Sequence, residues 1–193
     1  MKRSRAKQLL QRGLTVLLFA ALCSVTALAA ADAAHPLEKT GTTGVSVNYL
    51  VDAGNEWQYD SVYSDATHNA YKAGNSGKSG AGVSNIAITV TQPGILSFDY
   101  RISTGNFGGN YALYYRLGSA VTAENLSTAA NANQVASYCG TVPWTHQEIT
   151  ITQADLVNGS ATLYIAYYRG GRDLTGDNKV AIANVGFLYG EKT

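Results

Sequence analysis

Cysteine is nearly absent: two occur in 193 residues. Cys23 lies inside the leading apolar run, so Cys139 is alone in the remainder, and one thiol makes no intrachain disulfide. The fold must be held by its core, for which roughly 160 residues suffice. Cys139, in strand-like company with Val135 and Tyr138, reads as a buried thiol; a catalytic one would want a partner such as His146. Charge is scarce as well, at 14% against 46% hydrophobic residues, which excludes disorder of the whole chain. Five of the fourteen basic residues (Lys2, Arg3, Arg5, Lys7, Arg12) fall in the first dozen positions. The rest has nine basic against thirteen acidic residues, near −4, which excludes a basic nucleic-acid-binding body. Enzyme signatures are missing too. His35, His68 and His146 are too dispersed for H-E-x-x-H, and no G-x-S-x-G occurs. Gly77-Lys78-Ser79 ends like a P-loop but has Lys72 where the leading glycine belongs.

What is present begins with a secretory pattern. The basic start leads into an apolar run from Leu14 to Ala30, ending in Ala27-Leu28-Ala29, with Ala31-Asp32-Ala33 as a second cleavage candidate. A membrane anchor is the alternative, but the run is barely long enough and small polar residues interrupt its far end. Cys23 lacks the small preceding residue of a lipoprotein. No second spanning segment and no wall-sorting motif follow. The expected organisation is a signal peptide over 1–31, a flexible lead-in over 32–44 and one domain over 45–190. The expected location is secreted or at the cell surface, with no membrane span in the mature chain.

From Val45 onward the apolar period is two. Strands are predicted at Val45–Leu50, Ser84–Thr91, Ile95–Ile102, Tyr111–Leu117, Trp144–Thr152, Ala161–Arg169 and Val180–Tyr189. Weaker ones are expected at Asn55–Tyr59, Asn69–Lys72 and Gln134–Cys139. Only Val121–Ala132, and briefly Gln153–Asn158, read as helical turns. Short strands between glycine-rich turns predict an all-β antiparallel sandwich.

Alternation assigns faces. Leu96, Phe98, Tyr100 and Ile102 point inward and leave Asp99 and Arg101 outside. Tyr114 and Arg116, Tyr164 and Tyr168, and His146 and Glu148 point outward from their strands. Should these strands share one sheet, its outer face collects Asp99, Arg101, Tyr114, Arg116, His146, Glu148, Tyr164 and Tyr168. That mixture suits glycans, whose C–H faces stack on aromatic rings and whose hydroxyls pair with charged groups. The same residues also fit a plain solvated face with tyrosine chosen for β-propensity. Asp99 with Glu148 would serve a glycosidase only at the right separation. Trp57 and Trp144 read as packing rather than as exposed platforms. For calcium, the candidate oxygens are Asp173, Asp177 and Asn178 in a glycine-rich loop, although a plain polar turn fits equally.

The order of pieces resembles a known group. Gly94 and Leu96-Ser97-Phe98-Asp99-Tyr100 are followed by the tyrosine-rich Tyr111–Gly118, Trp144-Thr145, the Asn158-Gly159 turn, Ala161–Tyr168 and Val180–Phe187. This is similar to the jelly-roll modules of bacterial secreted and surface proteins, which include MAM-like, cleaved-adhesin-like and carbohydrate-binding-module-like sandwiches. The resemblance covers Val45 to Tyr189 and implies a jelly-roll-like β-sandwich. It implies a non-catalytic module recognising extracellular carbohydrate, with a structural or adhesive module binding a surface protein as the alternative and a glycoside hydrolase behind both. One departure stands out: Ala183 occupies the place of an acidic residue tied to structural calcium in such modules, so no tight calcium site and no other cofactor are expected.

Overall fold

The computed structural model describes residues 32–104, 111–126, 133–134, 140–171 and 177–190. Among these are ten strands: β1 (Val45–Asn48), β2 (Gln58–Tyr59), β3 (Tyr71–Lys72), β4 (Ala81–Val90), β5 (Gly94–Thr104), β6 (Tyr111–Leu117), β7 (Asn133–Gln134), β8 (Gly140–Ile151), β9 (Ala161–Gly170) and β10 (Lys179–Tyr189). Helix is confined to one turn at Ala123–Leu126 and a 3-10 turn at Gln153–Asp155. The leader, Cys139 and Asp173 lie outside the described residues.

Every ladder is antiparallel, and the strands form two sheets, β1-β4-β9-β6-β7 and β2-β3-β10-β5-β8. With β1 and β2 set aside as edge additions, the strands from β3 to β10 take the order first-eighth-third-sixth in one sheet. In the other the order is second-seventh-fourth-fifth, and together these make the jelly-roll winding. The Pro93-Gly94 turn therefore carries the chain from one sheet to the other. Gly94 is obligatory there, because a Cβ would come within 2.3 Å of the Leu188 carbonyl oxygen. Asn158 and Gly159 both take positive φ (54° and 81°) in the two-residue turn closed by Val157 and Ser160.

Strict alternation builds the core. Along β5, Leu96, Phe98, Tyr100 and Ile102 are buried while Ile95, Ser97, Asp99 and Arg101 are half-exposed. They meet Ile86, Ile88, Leu163, Ile165 and Tyr167 from the facing sheet. Each large apolar side chain taken from water here contributes about 1.5–3 kcal/mol. Trp57 is buried beneath them and donates its indole N–H to the Ser84 carbonyl at 3.2 Å.

The lead-in expected to be flexible is instead fastened. Leu37 is fully buried, and Lys39 N–H and Val185 N–H donate to Val185 and Leu37 carbonyls at 2.7 and 3.0 Å. Tyr71 donates its hydroxyl to the His35 carbonyl and accepts the Asp32 N–H, while the His35 ring stacks on Tyr59 at 4.2 Å. One core leucine in a dozen small residues leaves no period to read, yet it suffices to pin the segment.

Two irregularities re-aim side chains. A register shift in β10 between Ala183 and Gly186 places Asn184 in the left-handed region (φ 54°). A second, in β8 opposite Arg101, breaks its inward-outward alternation at Trp144.

Candidate functional site

The premise that the candidate strands share one sheet does not hold. Jelly-roll winding sends β6 and β9 to the first sheet, with β5 and β8 in the second. Tyr114, Arg116, Tyr164 and Tyr168 thus lie on one outer face. Asp99, Arg101, His146 and Glu148 lie on the other, across the full thickness of the sandwich.

On the second sheet the charged set is engaged in holding a loop. Asp99 accepts from His146 Nδ1 at 2.7 Å and from the Asn184 side-chain amide at 2.8 Å, with His68 Nε2 3.5 Å away. Asn184 also donates to the Thr67 carbonyl at 3.0 Å. His68 and Thr67 belong to the segment from Asp60 to Asn69, which crosses this face. Its Tyr63 is buried under the Arg101 guanidinium, 4.7 Å from the ring centroid, and burial pushes the phenol's pKa up. Asp65 takes the N–H groups of Thr67 and His68 and then the His68 ring. The Thr67 N–H first, and His68 second, hold its carboxyl well below the usual range. Glu148 reaches only the far side of His146, at 3.7 Å. Between the lead-in and this loop runs a cleft of about 510 Å³, lined by Pro36, Glu38, Asp65, His68 and Asn184 among others.

The first sheet presents a different surface. Register sets Tyr164 between Ala87 on β4 and Arg116 on β6, Ala166 between Asn85 and Tyr114, and Tyr168 between Val83 and Ala112. Each of the three tyrosines therefore has an alanine directly opposite on a neighbouring strand. Ala87, Ala112 and Ala166 are buried although they face outward, and Tyr114, Arg116, Tyr164 and Tyr168 are half-buried. Directly opposed cross-strand residues sit about 5 Å apart at Cβ, so each tyrosine has a short neighbour within reach. Asn85 anchors one margin, exchanging hydrogen bonds with the Val121 backbone at 2.9 Å each way and donating to Asp52. The Thr89 and Thr162 hydroxyls pair at 2.9 Å along another.

Of the calcium candidates, Asp173 lies outside the described residues. Asp177 is exposed and accepts from the Ser103 hydroxyl at 3.3 Å, whereas Asn178 is buried and its carbonyl accepts the Gly77 N–H. Ala183 is fully buried, directly opposite Asp99. Among the described residues no group of three or more His, Cys, Asp or Glu side chains is set to hold a metal ion. Nor is any helix among them long and apolar enough to cross a membrane.

Sequence reasoning missed His68, Asp65 and Asn184 on one face, and the alanines and Asn85 on the other. The Asp65-x-x-His68 spacing was the available signal for the loop. Nothing in a single strand marks Ala166 as the neighbour of Tyr114.

No protein-family model matches the chain, and no curated protein matches it. Solved structures to which it is similar include a family-27 carbohydrate-binding module with specific mannan recognition, at 16% identity and TM-score 0.36, covering 77% of this chain and 85% of that one. A cleaved adhesin domain of Lys-gingipain from Porphyromonas gingivalis is similar at 10% identity and TM-score 0.40, covering 77% and 92%. A family-27 module from Caldicellulosiruptor saccharolyticus, in complex with mannohexaose, is similar at 11% identity and TM-score 0.41, covering 75% and 90%.

Proposed function

We propose that the protein is a secreted, non-catalytic binding module that holds extracellular carbohydrate against the tyrosine face of its first sheet. The register that sets Tyr114, Tyr164 and Tyr168 each opposite a buried alanine, with Arg116 beside Tyr164, carries this reading. Sugar C–H faces stack on such rings, and a guanidinium donates to pairs of ring hydroxyls. The state of the opposite face supports a non-catalytic role. Asp99 has its oxygens taken by His146 and Asn184, and the His146 ring stands between it and Glu148. A glycosidase needs its two carboxyl groups facing each other across the scissile bond. Export rests on the basic and apolar leader over residues 1–31.

A glycan array on the purified protein tests the reading. The expected result is a specific signal that disappears in a Tyr164→Ala, Tyr168→Ala double variant of unchanged melting temperature. Silence across the array, or a signal indifferent to both substitutions, overturns it in favour of an adhesive module with a protein partner.

A further inference from the structure

β8 is the outermost strand of the second sheet, and among the described residues its one ladder partner is β5. A long bare edge invites pairing with another chain unless lysine, proline or a bulge protects it. Here protection is confined to one end. Pro143 and the register shift opposite Arg101 cover the start, while Trp144–Ile151 has neither lysine nor proline. Within that stretch the Gln147 side-chain amide donates to the Glu148 carbonyl at 2.9 Å. A carbonyl reached in this way points off the sheet. In an antiparallel strand the N–H and C=O of one residue point the same way, and successive residues alternate. The free edge therefore offers the backbone groups of His146, Glu148 and Thr150, and β5 takes those of Thr145, Gln147 and Ile149.

We propose that this edge pairs with the same edge of a second copy of the chain, antiparallel about a two-fold axis through Gln147. In that register His146 of each copy faces Glu148 of the other, and each facing pair exchanges both backbone hydrogen bonds. Directly opposed residues share a face, so the side chains meet as well. Both are more than half exposed, at 56% and 55%. Nδ1 of His146 is taken by Asp99 of its own copy at 2.7 Å, which leaves Nε2 to donate to the facing carboxylate. Shifting the axis to Glu148 opposes two carboxylates, and shifting it to His146 opposes two imidazoles. Of these three, only the Gln147 axis sets a hydrogen-bond donor against a carboxylate, which selects one register and one partner. The product is a continuous sheet of ten strands carrying two tyrosine faces.

Sedimentation velocity over a range of protein concentrations tests this. The unsubstituted protein is expected to sediment as two chains. Glu148→Lys is expected to raise the dissociation constant about tenfold or more, because the facing imidazole loses its carboxylate acceptor and meets another donor. Adding His146→Glu to Glu148→Lys sets a carboxylate against an ammonium in the same register and is expected to restore the dimer. Gln147→Arg, which sets two guanidiniums against each other at the axis, is a second break that leaves His146 and Asp99 in place. A single-chain mass at millimolar concentration overturns the proposal. So does a dimer that Glu148→Lys and Gln147→Arg leave unchanged, or a folded double variant that stays monomeric.

Discussion

The imidazole of His68 lies flat on the indole of Trp144, with ring centroids 4.3 Å apart and planes within 4° of parallel. Asp65 fixes the ring from within its own loop through Nδ1, and Asp99 faces its other nitrogen. The stack thus fastens the segment from Asp60 to Asn69 over the outer face of the second sheet. His68→Ala is expected to cost about 1–2 kcal/mol. Hydrogen exchange should show faster amides from Val62 to Asn69 while the β5 amides keep their protection.

The two outer faces should respond independently to substitution. Arg116→Ala is expected to weaken glycan binding by about tenfold, the loss of one charge-assisted hydrogen bond. Asp99→Asn and Glu148→Gln, on the far side of the sandwich, should leave that affinity unchanged. Calorimetric titration of all three variants against an array-identified glycan checks this.

Acid should destabilise the fold in a defined window. Asp65 is held below its ordinary value chiefly by the Thr67 N–H, and Asp155 by the Thr152 hydroxyl and N–H. Burial works against ionisation at Asp60, but Lys72 and the N–H groups of Tyr63 and Val62 outweigh it, so its pKa also falls. Each carboxyl binds a proton more readily in the unfolded chain. The stability they supply is therefore complete above the unfolded aspartate value of about 3.9 and is lost as pH falls through the lower folded values. The melting temperature should be nearly flat from neutrality to about pH 5 and drop below about pH 4. Asp65→Asn should make that drop shallower.

Removing the anchor of the lead-in should be costly. Leu37→Ala is expected to destabilise the protein by about 2–4 kcal/mol, measured by chemical denaturation. Because Asp32 accepts from Ala34 N–H and pairs with His35, cleavage after Ala33 would discard a used group. Mass spectrometry of the processed protein is expected to find Asp32 retained, with Ala34 not the first residue.

The strands were legible because alternation is written residue by residue: Tyr111–Leu117 was read with its observed ends, and Ala161–Gly170 differs by one residue. The inward assignments of Leu96, Phe98, Ile149, Leu163 and Tyr167 follow from the same period. Sheet membership was not legible. Alternation says which residues share a face of one strand, never which strands are neighbours, and so it merged Asp99 with Tyr164. The fastening of Leu37 was hidden for a related reason, since Val185, whose N–H bonds its carbonyl, lies at the far end of the sequence. Asn184 was passed over because its role depends on a left-handed backbone that no side-chain pattern announces.

The winding also fixes the order in which structure can form. β9 is hydrogen-bonded to both β4 and β6, and β10 to both β3 and β5, so the strands that follow all the others of this sandwich in sequence are central in their sheets. Before Gly170 has emerged, β4 and β6 have no strand between them. Before Tyr189 has emerged, β3 and β5 have none either, and Leu37 has no Val185 to bond. These closures join residues far apart in sequence, which makes them slow. Until β9 and β10 are made, each sheet exists only as two separate pairs, β1-β4 with β6-β7 and β2-β3 with β5-β8, and the two central strands close both sheets at once.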